Sequence, residues 1–193
     1  MDWHPDFAFT HALHICMERL GTLPTYGDVR DYAMSDELGW EMLGSPASRM
    51  IEAEAYKGTP RQRVKAAMRW RVGNAYYSFL REVYSIVELR QRGIPLLVHP
   101  LADALFRVDA WVGRVAFSLR IGNKKFRQGA SDGRKLSAER LLAGVRPTLA
   151  FREIELRAAR EFGCVHVPSS EELDVAADRI GEALLLTGER GQG

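Results

Sequence analysis

The stretch "LLVHPLADALFRVDAWVGRVAFSLRIGNKKFR" (Leu96–Arg127) decides the fold. Before it, apolar side chains recur at helical spacing up to Gly93. Within it the period changes. "IPLLVHP" (94–100) and "ALFRVDAWV" (104–112) are rich in β-branched and aromatic residues and are expected as strands. "RVAFSLRIG" (114–122) alternates, with Val115, Phe117, Leu119 and Ile121 on one face and Arg114, Ala116, Ser118 and Arg120 on the other. Gly113 is placed to turn the second strand into the third. Two charges break this apolar pattern, Asp109 in one segment and Arg120 in the next. A lone charge in a buried strand is costly unless it is paired or holds a metal. Two accounts are open: an ion pair between neighbouring strands, or a metal ligand with its charge stabiliser.

On the N-terminal side, "RQRVKAAMRWRVGNAYYSFLREVYSIVELRQR" (61–92) is the strongest helical region, with apolar residues at 76, 79, 80, 83, 86, 87 and 89. Gly73 is a possible division and Gly93 the stop. Trp70, Tyr76, Tyr77, Phe79 and Trp111 fit core packing better than base stacking. The first 60 residues contain further helical segments, expected as a cap on the main domain, with a small helix-turn-helix as the alternative. Thr25 or Asp28 is a candidate helix cap. On the C-terminal side, "LSAERLLAGV" is a helix and "PTLAFREIELRAAREFG" starts as strand and continues as helix. "CVHVP" is a short strand. The last helix is capped by Ser169 or Ser170, with a Glu at capping-box distance. The expected fold class is α/β, an α+β arrangement with one mixed sheet. The expected organisation is a helical N-terminal extension (1–60), an α/β core (61–187) and a flexible tail (188–193).

The chain has 193 residues and a formal net charge of +2. That small sum hides a strong asymmetry. Residues 1–56 carry a net −7, residues 57–146 a net +13 and residues 147–193 a net −4. A basic block of this size suits a polyanionic partner, and nucleic acid is the commonest. The alternative is internal neutralisation by the acidic ends. Arg61, Arg63, Lys65, Arg69, Arg71, Lys125, Arg127, Arg134 and Lys135 are the candidate nucleic-acid contacts. The segment from Lys57 to Arg71 holds six Lys or Arg and no acid. No apolar run has a membrane span's length of roughly 18 residues. The N-terminus lacks a signal-peptide pattern. Cys16 and Cys164 are expected as free, buried thiols. A cytoplasmic protein without membrane partners is expected.

The order helix, three strands, helix, strand across residues 76–180 resembles the PD-(D/E)xK nuclease superfamily, the restriction-endonuclease-like fold, with its αβββαβ core. The resemblance rests on particular residues. Glu82 lies on the helix, Asp109 in "FRVDAWVG" before a turn, and "SLR" (Ser118–Arg120) at the place of the (D/E)xK triplet. It implies a Mg²⁺- or Mn²⁺-dependent DNA endonuclease of restriction, phage defence, repair or transposition. Glu82 and Asp109 would be metal ligands. Arg120 would stand in for the lysine, with Lys124 close by, although arginine is too basic to accept a proton. Ser118 replaces the second acid of the triplet, and Glu139 in "LSAERLL" is the candidate substitute. These departures leave a second expectation: a catalytically inactive nuclease-like subunit that binds nucleic acid, a partner protein or another copy of itself. His99 is a candidate metal or phosphate contact, more in keeping with a structural role. Asp103 is a candidate ligand or a cap. Glu88 is the rival helix acid.

Overall fold

A computed structural model of the chain describes residues 3, 8–122, 138–145, 148–162 and 165–188. They form two compact units, Met1–Phe79 and Leu80–Gly193. The sequence reading set a boundary at residue 60, where a long helix starts; the two units divide within that helix.

The first unit is helical. α1 (Phe9–Leu20) buries Ala12, Leu13 and Cys16 and ends at Gly21 in the left-handed region. α2 (Tyr26–Ser35) begins with a reciprocal cap: the Thr25 hydroxyl accepts from the Asp28 amide, and the Asp28 carboxylate accepts from the Thr25 amide. Asp36 caps α3 (Glu37–Gly39), which passes through a π-helical turn (Trp40–Gly44) into α4 (Ser45–Tyr56). This turn approaches α2 backbone to backbone. A Cβ on Gly39 would lie 2.3 Å from the Tyr32 carbonyl oxygen, and one on Gly44 would lie 2.0 Å from that of Ala33. Only glycine permits the contact. α5 (Arg61–Gln91) closes the unit with Val64, Met68, Tyr76 and Phe79. The Tyr76 hydroxyl donates to the Pro24 carbonyl at 2.9 Å, and the Phe79 ring packs edge-on against His14.

The second unit is the mixed α/β arrangement expected. α6 (Pro100–Phe106) follows the rest of α5. β1 (Ala110–Val112) and β2 (Val115–Gly122) form an antiparallel hairpin through Gly113, at φ 52°. α7 (Ala138–Leu141) precedes β3 (Ala150–Phe162), which lies parallel to β2 with Val115 opposite Ala150 and Arg120 opposite Glu155. β4 (Val165–Pro168) pairs antiparallel with β3, and α8 (Ser170–Leu186) ends the unit. The sheet order is β1-β2-β3-β4. One face carries the core: Ala110, Val112, Val115, Phe117, Ile154 and Leu156 pack with Leu173, Ala176 and Ile180 of α8 and with Leu89 and Leu96. At about 25 cal/mol per Å² of apolar surface, this burial dominates the unit's stability. Arg92 ties the end of α5 to the start of α8, donating to Glu88 and Asp174, each at 2.7 Å, and to the Ser170 hydroxyl at 2.9 Å.

Three segments differ from the sequence expectation. "IPLLVHP" contributes one bridge, Leu97 to Trp111, because Pro95 and Pro100 have no amide to extend a ladder. "ALF" belongs to α6. Pro100 suits a first helical position and His99 caps it through Nδ1, which accepts from the Leu101 amide at 3.1 Å. "AFREIELRAAREF" is strand throughout. Its Ile154 and Leu156 recur at period two and enter the core, and that burial overrides helical propensity. Cys16 is a free, fully buried thiol, pushed up to about 11 chiefly by burial and then by Asp28 and Asp36. Cys164 and residues 189–193 lie outside the described residues.

Gly44→Ala forces a methyl group against backbone. It is expected to cost about 1–3 kcal/mol, read in a denaturant melt of the intact protein. A midpoint equal to that of the parent would contradict the close approach of the π-helical turn to α2.

Candidate acidic site and the sheet face beside it

The site begins with the way α6 ends. Arg107 occupies the left-handed region at φ 57°, a position that usually takes glycine, and its amide donates to the Asp103 carbonyl at 2.9 Å. The Val108 amide reaches back to the Ala102 carbonyl at 3.2 Å. This tight reversal brings Asp103, in the first turn of α6, beside Asp109, just before β1. Asp109 then takes part in the sheet through its side chain. Its Oδ2 accepts from the Leu119 backbone amide at 2.5 Å and from the Ser118 hydroxyl at 3.3 Å. Its own amide donates to the Phe117 carbonyl at 3.1 Å. The carboxylate thus continues the β1–β2 ladder by one step where the backbone leaves it.

Burial pushes Asp109 from an ordinary 3.8 up to about 7. The Leu119 amide and the Ser118 hydroxyl pull the other way. The charge of Asp103, and a hydrogen bond with it that favours the protonated acid, push further up. Glu82 on α5 belongs to the same cluster. It is half-buried by exposed area but crowded by protein. Burial first, then the charges of Asp103 and Asp109, hold it well above the carboxylate range. The charges named as acting on these two groups are those of neighbouring acids.

The structure therefore brings Glu82 and Asp109 together, adds Asp103, and leaves Arg120 out. Arg120 extends from the exposed end of its strand face and pairs with Glu153 at 2.9 Å, both side chains more than half exposed. The Asp109–Arg120 ion pair offered by the sequence is not formed. Arg120, Ser118 and Glu139 instead line a neighbouring cleft of about 420 Å³, together with Arg107, Phe151 and Arg152. Ser118 belongs to both places, lining the cleft and donating to Asp109. His99 is used as a helix cap, and Glu88 is held by Arg92 at 2.7 Å, so neither joins the acids. Lys124, Lys125, Arg127, Arg134 and Lys135 lie outside the described residues.

The oxygen donors of Glu82, Asp103 and Asp109 are of the type that Mg²⁺ or Mn²⁺ takes. Among the described residues, no group of three or more His, Cys, Asp or Glu is placed to hold a metal. Asp109, at about 7, can take up or release a proton near neutral pH.

Of the candidate nucleic-acid contacts in the first unit, Arg61 pairs with Glu52 of α4. Arg71 is drawn inward, its Nε donating to the Trp3 carbonyl at 2.9 Å and its guanidinium lying over the Phe9 ring. Arg63 and Arg69 are exposed and Lys65 is half-buried; among the described residues none of the three has an ion pair. Trp70, expected in the core, is 62% exposed. The helical wheel carried that signal, since Trp70 lies away from the Val64–Met68 stripe that α5 buries. Among the described residues no helix is long and apolar enough to cross a membrane. Comparison with family models, curated proteins and solved structures finds no match for this chain.

A carboxyl raised in the folded state binds its proton more tightly there than in the unfolded chain. Asp109's contribution to stability is therefore fully present below the unfolded value of 3.8 and is lost as pH rises through about 7. Asp109→Asn keeps an oxygen for the Leu119 amide and removes the charge. Thermal melts at pH 5 and pH 8 are expected to show a loss for the parent, on the order of a few kcal/mol, and a smaller one for the variant. Parallel losses in both proteins would contradict the acidic cluster.

Proposed function

We propose that this chain is a nucleic-acid-binding protein, with DNA as the expected partner, whose nuclease-like α/β unit binds rather than cuts. One observation carries the reading: the first turns of α5 present Arg63, Lys65 and Arg69, in a segment with no acid, without ion-pair partners among the described residues. Cations left in reach of solvent are available to phosphates and release counterions when they meet them. The α/β unit supports the non-catalytic side. Arg120 is engaged by Glu153, and Ser118 occupies the position of the triplet's acid and donates to Asp109.

Binding of a labelled DNA duplex, followed by anisotropy across a salt series, is expected to weaken steeply. Arg63→Ala/Lys65→Ala/Arg69→Ala should weaken it at least tenfold and flatten the log–log slope by about 3, roughly one unit per lost phosphate contact. Binding indifferent to salt, or unchanged in the triple variant, would remove the basis of the proposal.

A second reading is a Mg²⁺- or Mn²⁺-dependent endonuclease. The acid cluster favours it, because Glu82, Asp103 and Asp109 gather oxygen donors of the type these metals take. Plasmid incubated with either metal separates the two readings. Nicking by the parent that disappears in both Asp109→Asn and Glu82→Gln would establish the enzyme. Intact plasmid alongside salt-sensitive binding is the outcome expected here.

A further inference from the structure

We infer that α5 carries a lane for unpaired bases and that the nucleic acid it takes is single-stranded. The inference rests on the nucleic-acid-binding reading above and adds the strandedness of the ligand. Arg63, Trp70 and Tyr77 are spaced seven residues apart on α5, so they share one side of the helix, nearly in line. Ala66 and Gly73 lie between them on that side. Trp70 is exposed, and Tyr77 is half-buried, with its ring centroid 5.6 Å from that of Tyr76. Arg69, four residues before Gly73, borders the lane.

Two features have no folding explanation. An indole exposed to 62% on a helix whose other large apolar residues are mostly covered contributes little to the core. Gly73 stands in the interior of a 31-residue helix, where it disfavours the helix relative to alanine. Nothing explains it sterically, because a Cβ there would meet no atom within 4 Å. Together they make one surface: a bare stretch of backbone between two aromatic side chains about 10 Å apart along the axis. Flat bases stack on such rings whatever their sequence, and the cations beside them meet the phosphates. In a duplex the base faces are already stacked on each other and closed to the indole, so the lane discriminates by strandedness.

The test is anisotropy of the full chain with fluorescein-labelled oligothymidylate and with a duplex of equal length at low salt. Oligothymidylate is expected to bind about tenfold tighter. Trp70→Ala should lose about tenfold on oligothymidylate and little on duplex, while Trp70→Phe retains most of the affinity. Gly73→Leu should weaken oligothymidylate binding several-fold with no fall in melting temperature, since the added side chain points into open space. Equal affinity for the two nucleic acids, or an unchanged Trp70→Ala, overturns the inference while leaving the broader reading intact. Heparin displacing oligothymidylate equally well from parent and Trp70→Ala, or tighter binding to anionic phospholipid vesicles than to oligothymidylate, overturns it as well. Loss of salt-sensitive binding to both nucleic acids overturns the broader reading.

Discussion

The second unit turns on a carboxylate used as a piece of backbone. Asp109 lies one residue before β1, where the ladder with β2 leaves the Leu119 amide without a main-chain acceptor, and its Oδ2 supplies one at 2.5 Å. A buried amide left without a partner would cost about 1–3 kcal/mol. Meeting that need with an acid fixes much else. The acid is drawn into protein, its charge becomes expensive, and its affinity for a proton rises until it titrates near neutrality. The tight end of α6 then brings Asp103 close enough to share that proton, and α5 brings Glu82. Three elements meet at one acidic point because one strand needs an acceptor and one helix ends abruptly.

The two faces of the small sheet divide the labour. The face of Val115, Phe117, Ile154 and Leu156 is closed by α8 and carries the stability of the unit. The face of Ala116, Ser118 and Arg120 runs from a buried alanine to an exposed arginine and borders the cleft. Arg120 could have neutralised Asp109 only by folding back over Ser118. It meets Glu153 on the neighbouring parallel strand instead, in water, where such a pair is worth about 0–1 kcal/mol. Arg107 is the more telling arginine. It holds a left-handed conformation that glycine adopts without strain, and its side chain lines the cleft. Strain of this kind persists where the surroundings impose it. Here they do so by joining α6 to β1 through three residues, Arg107 to Asp109.

The sequence made one class of feature legible and hid another. The change of period after Gly93, the turn at Gly113 and the alternation of Val115–Arg120 lead directly to the hairpin, because a half-buried strand writes its faces into every second residue. Helix α6 was hidden in "PLADALF", where apolar residues without a clear period read equally well as strand; the His99 cap and Pro100 decided it. β3 was hidden by composition, since Glu, Arg, Leu and Ala favour a helix until Ile154 and Leu156 are buried two apart. Glu82 and Asp109 could be picked out as a pair through their resemblance to a nuclease pattern. Asp103 became their third member only through the backbone reversal at Arg107, and a glycine there would have announced that reversal better.

The basic half of α5 was equally visible as charge and equally incomplete as a surface. Six cations without an acid suit a polyanionic partner, but they do not say which ones remain available after folding. The structure removes Arg61 to Glu52 and Arg71 to the Trp3 carbonyl, and leaves Arg63 and Arg69 in solvent. Trp70 was assigned to the core on the spacing of the aromatic residues. Its exposure changes the character of the helix. Cations alone grip any polyanion, whereas cations beside an open indole and a bare glycine prefer one whose bases are free to stack. Exposed apolar area and a helix-interior glycine are each a cost to the isolated fold, and bases stacked along α5 would turn both into binding surface.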